Sequence, residues 1–109
     1  MAKDLDANLA RDLEAAAAGE PIEAVVLGAI GWTHSWDDEQ SSGQRREVVL
    51  TWAEARPMLD YDFNSGFGSP GCNAIYAWTA NRVLMIHEYD GSTATRSVPR
   101  HPIPCKPEF

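Results

Sequence analysis

Basic residues are scarce in this chain: nine Lys or Arg stand against sixteen Asp or Glu, a formal charge of −7. The deficit is uneven. Residues 1–62 hold thirteen acids and five Lys or Arg, whereas residues 63–109 hold three acids and four Lys or Arg. No basic stripe relieves that balance, so a polyanion is repelled and direct nucleic-acid binding is not expected. Long apolar runs are missing too, and nothing approaches the roughly 18–20 residues that a membrane helix needs. The opening MAKDLDANLARDLE carries acids throughout and lacks the apolar h-region of a secretory signal. The expected setting is therefore the cytoplasm, with no membrane contact. Cysteine is nearly absent, and Cys72 and Cys105 fit reduced thiols better than a disulfide framework.

Catalytic signatures are equally thin. No G-x-S-x-G elbow, H-E-x-x-H helix or P-loop occurs. GFGSPG at 66–71 spells the dinucleotide fingerprint G-x-G-x-x-G, and Glu88 and Asp90 follow about twenty residues on, where a ribose carboxylate belongs. That motif works only when a helix begins among its glycines. Here Pro70 sits inside it and NAIYAWTANRVLM behind it is β-branched and aromatic, so a glycine turn is expected instead. Asp60, Asp62 and Asn64 imitate the start of a calcium loop. The pattern fails at its sixth position, Ser65 for Gly, and at its twelfth, Gly71 for Glu. Cys72, His87, His101 and Cys105 are separated by 15, 14 and 4 residues, without the close pair of a structural zinc site. A Cys72 nucleophile would need His87 or His101 as base, and Glu88 cannot orient His87 from the same strand. No catalytic residue, metal or cofactor is expected.

What is present is a pattern of elements. The chain of 109 residues suffices for a single domain, spanning 1–109. Residues 1–19 read as a helix, with Leu5, Leu9 and Leu13 forming one stripe, Asp4 or Asp6 as its cap and Gly19-Pro21 as its stop. From Ile22 the period becomes two, and Ile22, Ala24, Val26, Gly28, Ile30, Trp32, His34 and Trp36 share one alternating face of a long strand. Gly28 and Gly31 are its expected bends or bulges. RREVVLTW supplies a second strand. In TWAEARPMLD, Thr51 and Glu54 form a capping box that favours a short helix, limited by Pro57. Residues 60–71 read as a loop, and NAIYAWTA, RVLMIHEYD and STATRSVPR as strands, the last two joined by a tight turn at Asp90-Gly91. Residues 22–100 thus form the sheet and 101–109 a proline-rich extended tail. The fold class is α+β: an N-terminal helix packed on a mostly antiparallel sheet of about five strands.

Asp60-Tyr61-Asp62, Gly66-Phe67-Gly68, Ala77-Trp78-Thr79, Glu88-Tyr89-Asp90-Gly91 and Val98-Pro99-Arg100 carry a resemblance spread over residues 59–102. In these words the chain resembles small proteins encoded by phages and other mobile elements of bacteria. The resemblance implies no activity, only a class that includes inhibitors of host proteins, anti-CRISPR proteins among them. With the acid-rich first part, it leads to the expectation of a non-enzymatic acidic binding protein. Such a phage-type inhibitor would block a host defence or nucleic-acid-handling protein by occupying its basic surface. The expected contact residues are Asp37, Asp38 and Glu39 in the polar loop, and Asp60 and Asp62 in the later one. Tyr61, Phe63 and Phe67 would serve as aromatic anchors. Two alternatives stand beside it. One is a small-molecule binder or minor enzyme centred on the glycine loop with Cys72 and His87. The other is a homo-oligomeric structural protein, a homodimer that uses Trp32 and Trp36.

Overall fold

The computed structural model describes residues 6–30, 45–64, 66, 71–89 and 92–107. The protein is α+β, and the described residues hold six strands in two antiparallel sheets and two helices. In chain order the elements are β1 (Asp6–Asn8), α1 (Leu9–Ala16), β2 (Ala24–Ile30), α2 (Trp52–Leu59), β3 (Asp62–Asn64), β4 (Asn73–Trp78), β5 (Arg82–Tyr89) and β6 (Ser92–Pro99). The main sheet has the order β2-β4-β5-β6, and β1 pairs with β3 in a separate two-stranded ribbon. Both helices share one buried cluster with the main sheet, in which Leu9, Leu13, Ala55 and Leu59 meet Val25, Leu27, Ile75 and Leu84. Burying a leucine of this kind contributes about 1.5–3 kcal/mol.

Helix α1 starts later than expected. Asn8, rather than Asp4 or Asp6, is the N-cap, with its side chain accepting from the Arg11 amide at 3.0 Å. Residues 6–8 before it are extended because they pair with 62–64, a tertiary contact that outweighs local helix propensity. Leu9 and Leu13 of the expected stripe are fully buried, while Leu5 lies outside the described residues. The helix ends at Ala16, three residues short of the expected Gly19, and Ala18 at φ 55° and Gly19 at φ 90° form the left-handed turn that follows. Helix α2 carries the complete capping box: Thr51 Oγ1 accepts from the Glu54 amide, and Glu54 accepts from the Thr51 amide.

Strand β2 buries Val25 and Leu27 and turns Ala24 and Val26 the other way. The expected face through Ala24 and Val26 is thus the outward one, because AVVL is apolar in both phases and its period cannot choose between them. One residue is inserted between Leu27 and Ile30, where the register with β4 shifts, and Ile30 is thereby returned to the buried face. This is the bulge expected at Gly28; Gly31, Trp32, His34 and Trp36 lie outside the described residues. RREVVLTW does not form a second strand. It meets β2 at the isolated bridge of Val25 to Leu50 and at the Glu47 N–H, which donates to the Leu27 carbonyl, and Glu47 at φ 61° interrupts the extended run. Val49 is 74% exposed. The loop expected over 60–71 contains β3, whose register runs from Asn8↔Asp62 to Asp6↔Asn64. In the last hairpin, Tyr89 faces Ser92, the register a two-residue link through Asp90-Gly91 demands. Residues 101–107 of the tail are exposed and outside any helix or strand.

The turn between β4 and β5 is pinned from both ends of the sheet. Thr79, fully buried, donates its hydroxyl to the Glu20 carboxylate, which also accepts from the Asn81 side chain at 2.9 Å and the Asn81 amide at 3.3 Å. Arg100, just past β6, donates to the Thr79 carbonyl at 2.8 Å and to Glu23 at 3.1 Å. Hydrogen bonds from Thr79 and then Asn81 hold the Glu20 carboxyl below its ordinary value of 4.5. Its folded pKa is therefore depressed. The stability it contributes is present above the ordinary glutamate range and is lost as pH falls through the folded value. Glu20→Gln is expected to lower the melting temperature at about pH 7, with the gap to wild type closing toward about pH 3. Thermal unfolding followed by circular dichroism checks this, and a gap that does not depend on pH would refute the role of the charge.

Candidate functional site

Asn73 opens β4, an unfavourable residue for a strand, and it is fully buried. Its side chain explains why. The amide Nδ2 donates to the Gly28 carbonyl at 2.8 Å, Oδ1 accepts from the Tyr61 hydroxyl at 2.7 Å, and the Asn73 backbone N–H donates to that same hydroxyl oxygen at 2.8 Å. Tyr61 is half-buried, and burial first of all pushes its pKa up, so it stays a protonated donor. Three segments meet in this network: the bulge of β2, the start of β4 and the lead-in to β3.

The bulge and the Asn73 latch draw the first half of β4 toward β2. Leu27 pairs with Ile75 and, past the inserted residue, Ile30 pairs with Asn73. On its other side β4 pairs with β5 only through Tyr76↔Met85, Ala77↔Leu84 and Trp78↔Val83. Strand β5 meanwhile stays with β6 for eight consecutive pairs, as far as Tyr89. Among the described residues no ladder pair joins Asn73–Ile75 to Ile86–Glu88. At this opening lies a cavity of about 510 Å³. Its lining comes from both faces of the sheet: Val26, Ala74 and Tyr76 from the outward face, Leu27, Ile75 and Ile86 from the inward one. Glu47 and Glu88 are the charged residues of its described lining.

Cys72 also lines this cavity, with 1% of its surface exposed. Burial, aided by the nearby Asp12 carboxylate, pushes its thiol up to about 12, so it remains a neutral wall and a poor nucleophile. His87 lines a different, smaller cavity of about 160 Å³ with Arg96 and Lys106. Cys72 and His87 thus line different cavities. His101 and Cys105 lie in the exposed tail. Among the described residues no group of three or more His, Cys, Asp or Glu could hold a metal ion.

The acidic expectations fall in two sets. Asp37, Asp38, Glu39 and Phe67 lie outside the described residues. Asp60 and Asp62 are exposed, and one amide gathers them: Asn8 Nδ2 donates to Asp60 at 3.0 Å and to Asp62 at 3.2 Å. Arg56 approaches Asp60 at 3.8 Å from the last turn of α2. The aromatic anchors between these acids are placed differently from the expectation of a surface contact. Phe63 is 6% exposed and belongs to the core, and Tyr61 is held by Asn73. Alternation in an extended segment accounts for both facts, since neighbouring side chains point to opposite faces. Sequence reasoning missed Asn73 and Asn8, whose signals were weak: an asparagine opening a β-rich run, and one just before a leucine stripe.

No helix among the described residues is long and apolar enough to cross a membrane. The fold and its cavity define an α+β protein with a split antiparallel sheet and an acidic ribbon. The chain matches no protein-family model, no curated protein and no solved structure.

Two outcomes follow from the geometry. Tyr61→Phe strands the Asn73 polar groups away from water and is expected to lower stability by about 1–3 kcal/mol. Urea denaturation measures this, and an unchanged midpoint would show the network to be dispensable. Alkylation at about pH 8 is expected to reach Cys105 first and Cys72 more slowly by on the order of a thousandfold. Equal rates by mass spectrometry would mean that Cys72 is not shielded.

Proposed function

We propose that this chain is a non-enzymatic acidic binding protein that docks on a basic surface of another protein. In its sharper form, the partner is a bacterial host protein of defence or nucleic-acid handling, and the bound chain blocks the surface that meets nucleic acid. The observation that carries the reading is the exposed pair of Asp60, at the C-cap of α2, and Asp62, at the start of β3, both held by the single amide of Asn8. Preorganised carboxylates bind guanidinium or ammonium groups with little further loss of side-chain freedom.

The surrounding charge supports it. Thirteen of the sixteen acids fall within residues 1–62. A field of one sign accelerates encounter with a basic surface and repels nucleic acid itself. Because Tyr61 and Phe63 pack inward, the contact at the ribbon is electrostatic rather than aromatic. Asp37, Asp38 and Glu39 extend the same acid-rich segment in sequence.

Tagged protein passed through bacterial lysate at moderate and at high salt tests the reading. The expected result is a stoichiometric, salt-sensitive protein partner that itself handles nucleic acid. With that partner in hand, Asp60→Asn/Asp62→Asn and, separately, Asp37→Lys/Asp38→Lys are each expected to slow association by about tenfold and to flatten its salt dependence. Association rates that match wild type in both double variants, with the fold intact, would overturn the assignment.

A further inference from the structure

The slot between β4 and β5 has its own chemistry, and it is independent of the acidic ribbon. At about 510 Å³ it falls within the range of small-ligand sites. Two small residues keep it open on the outward face: a Cβ on Gly28 would stand 3.1 Å from the Ala74 Cβ. The apolar part of the wall comes from residues such as Val26, Ile75, Met85 and Ile86. The charge in the described lining is of one sign, since Glu47 and Glu88 are present and no Lys, Arg or His is.

Glu47 is held at this wall by its backbone, whose N–H donates to the Leu27 carbonyl at 2.9 Å. It adopts φ 61°, a conformation that suits glycine or asparagine better than glutamate. Its side chain is exposed and makes no ion pair among the described residues. A charged residue kept at a position that favours glycine, at the wall of a cavity, fits a role for the side chain rather than for the fold. Tyr76, 56% exposed, adds an aromatic ring to the same wall, a surface that attracts cations.

We propose that this slot binds a small organic cation with an apolar body, an alkyl- or aryl-ammonium. The hydrocarbon part lies between the diverging strands against Ile75, Met85 and Ile86, and the ammonium faces Glu47 and the Tyr76 ring. An anion of the same size is repelled by Glu47 and by the charge of the whole chain. A neutral analogue gains only the apolar contact.

Hexyltrimethylammonium, hexanol and hexanoate, titrated into the full chain, test the proposal through methyl NMR shifts of Ile75, Met85 and Ile86. The expected result is saturable shifts with the cation, at least about tenfold weaker binding of hexanol, and none of hexanoate. Glu47→Gln is expected to weaken the cation by about tenfold, and Ala74→Leu, which fills the slot from an exposed position, to abolish binding. Glu47→Gly separates site from fold: it is expected to lose affinity as Glu47→Gln does while its melting temperature stays level or rises. Equal binding of all three probes, an absence of shifts with the cation, or a cation affinity untouched by Glu47→Gln would each overturn the proposal. None of these outcomes depends on Asp60 or Asp62, so a failure here is distinct from a failure of the protein-docking reading.

Discussion

The Asn73 side chain is the constraint on which the middle of this fold depends. It lies in the core, where an unsatisfied amide would cost about 1–3 kcal/mol, and it is answered by the Gly28 carbonyl and the Tyr61 hydroxyl. Each partner comes from a different segment, so satisfying one asparagine fixes the β2 bulge, the β4 start and the approach to β3 together. The bulge returns Ile30 to the core. It also binds β4 to β2 over the stretch where β4 leaves β5. The cavity therefore follows from how a buried polar group is satisfied, together with the small side chains at Gly28 and Ala74.

Asn8 plays a parallel part at the other sheet. Its carbonyl oxygen caps α1 and its NH₂ gathers Asp60 and Asp62. Both ends of one short amide are used, so the helix start and the ribbon have a common anchor. The leucines of α1 and Phe63 of β3 enter one core on the far side of that anchor. Acids remain outside because each occupies the outward phase of an extended segment whose inward phase is aromatic. Surface charge and core packing here are two readings of the same alternation.

Legibility of the sequence followed the range of the interaction. The Thr51–Glu54 capping box, the turn at Gly19, the glycine bulge in β2 and the Asp90-Gly91 hairpin register all act across a few residues, and each is written in the chain. The second strand at RREVVLTW misled, because a β-branched pair such as Val48-Val49 shows propensity without a partner to bury it; in the structure both are exposed. Aromatic anchors at Tyr61 and Phe63 misled for the opposite reason: the rings had partners, Asn73 and the core, more than ten residues away or on other elements.

By itself the sequence determined the class of fold, the helix and hairpin signals and the segregation of charge, since these depend on composition, period and contacts between near neighbours. Tertiary structure alone decided that β1 pairs with β3, which phase of AVVL faces inward, and that β4 and β5 part to leave a slot walled by Glu47 and Glu88. Those outcomes rest on pairings between residues about forty to sixty positions apart. Their energies come from burial and from hydrogen bonds that exist only once the distant partners are in place.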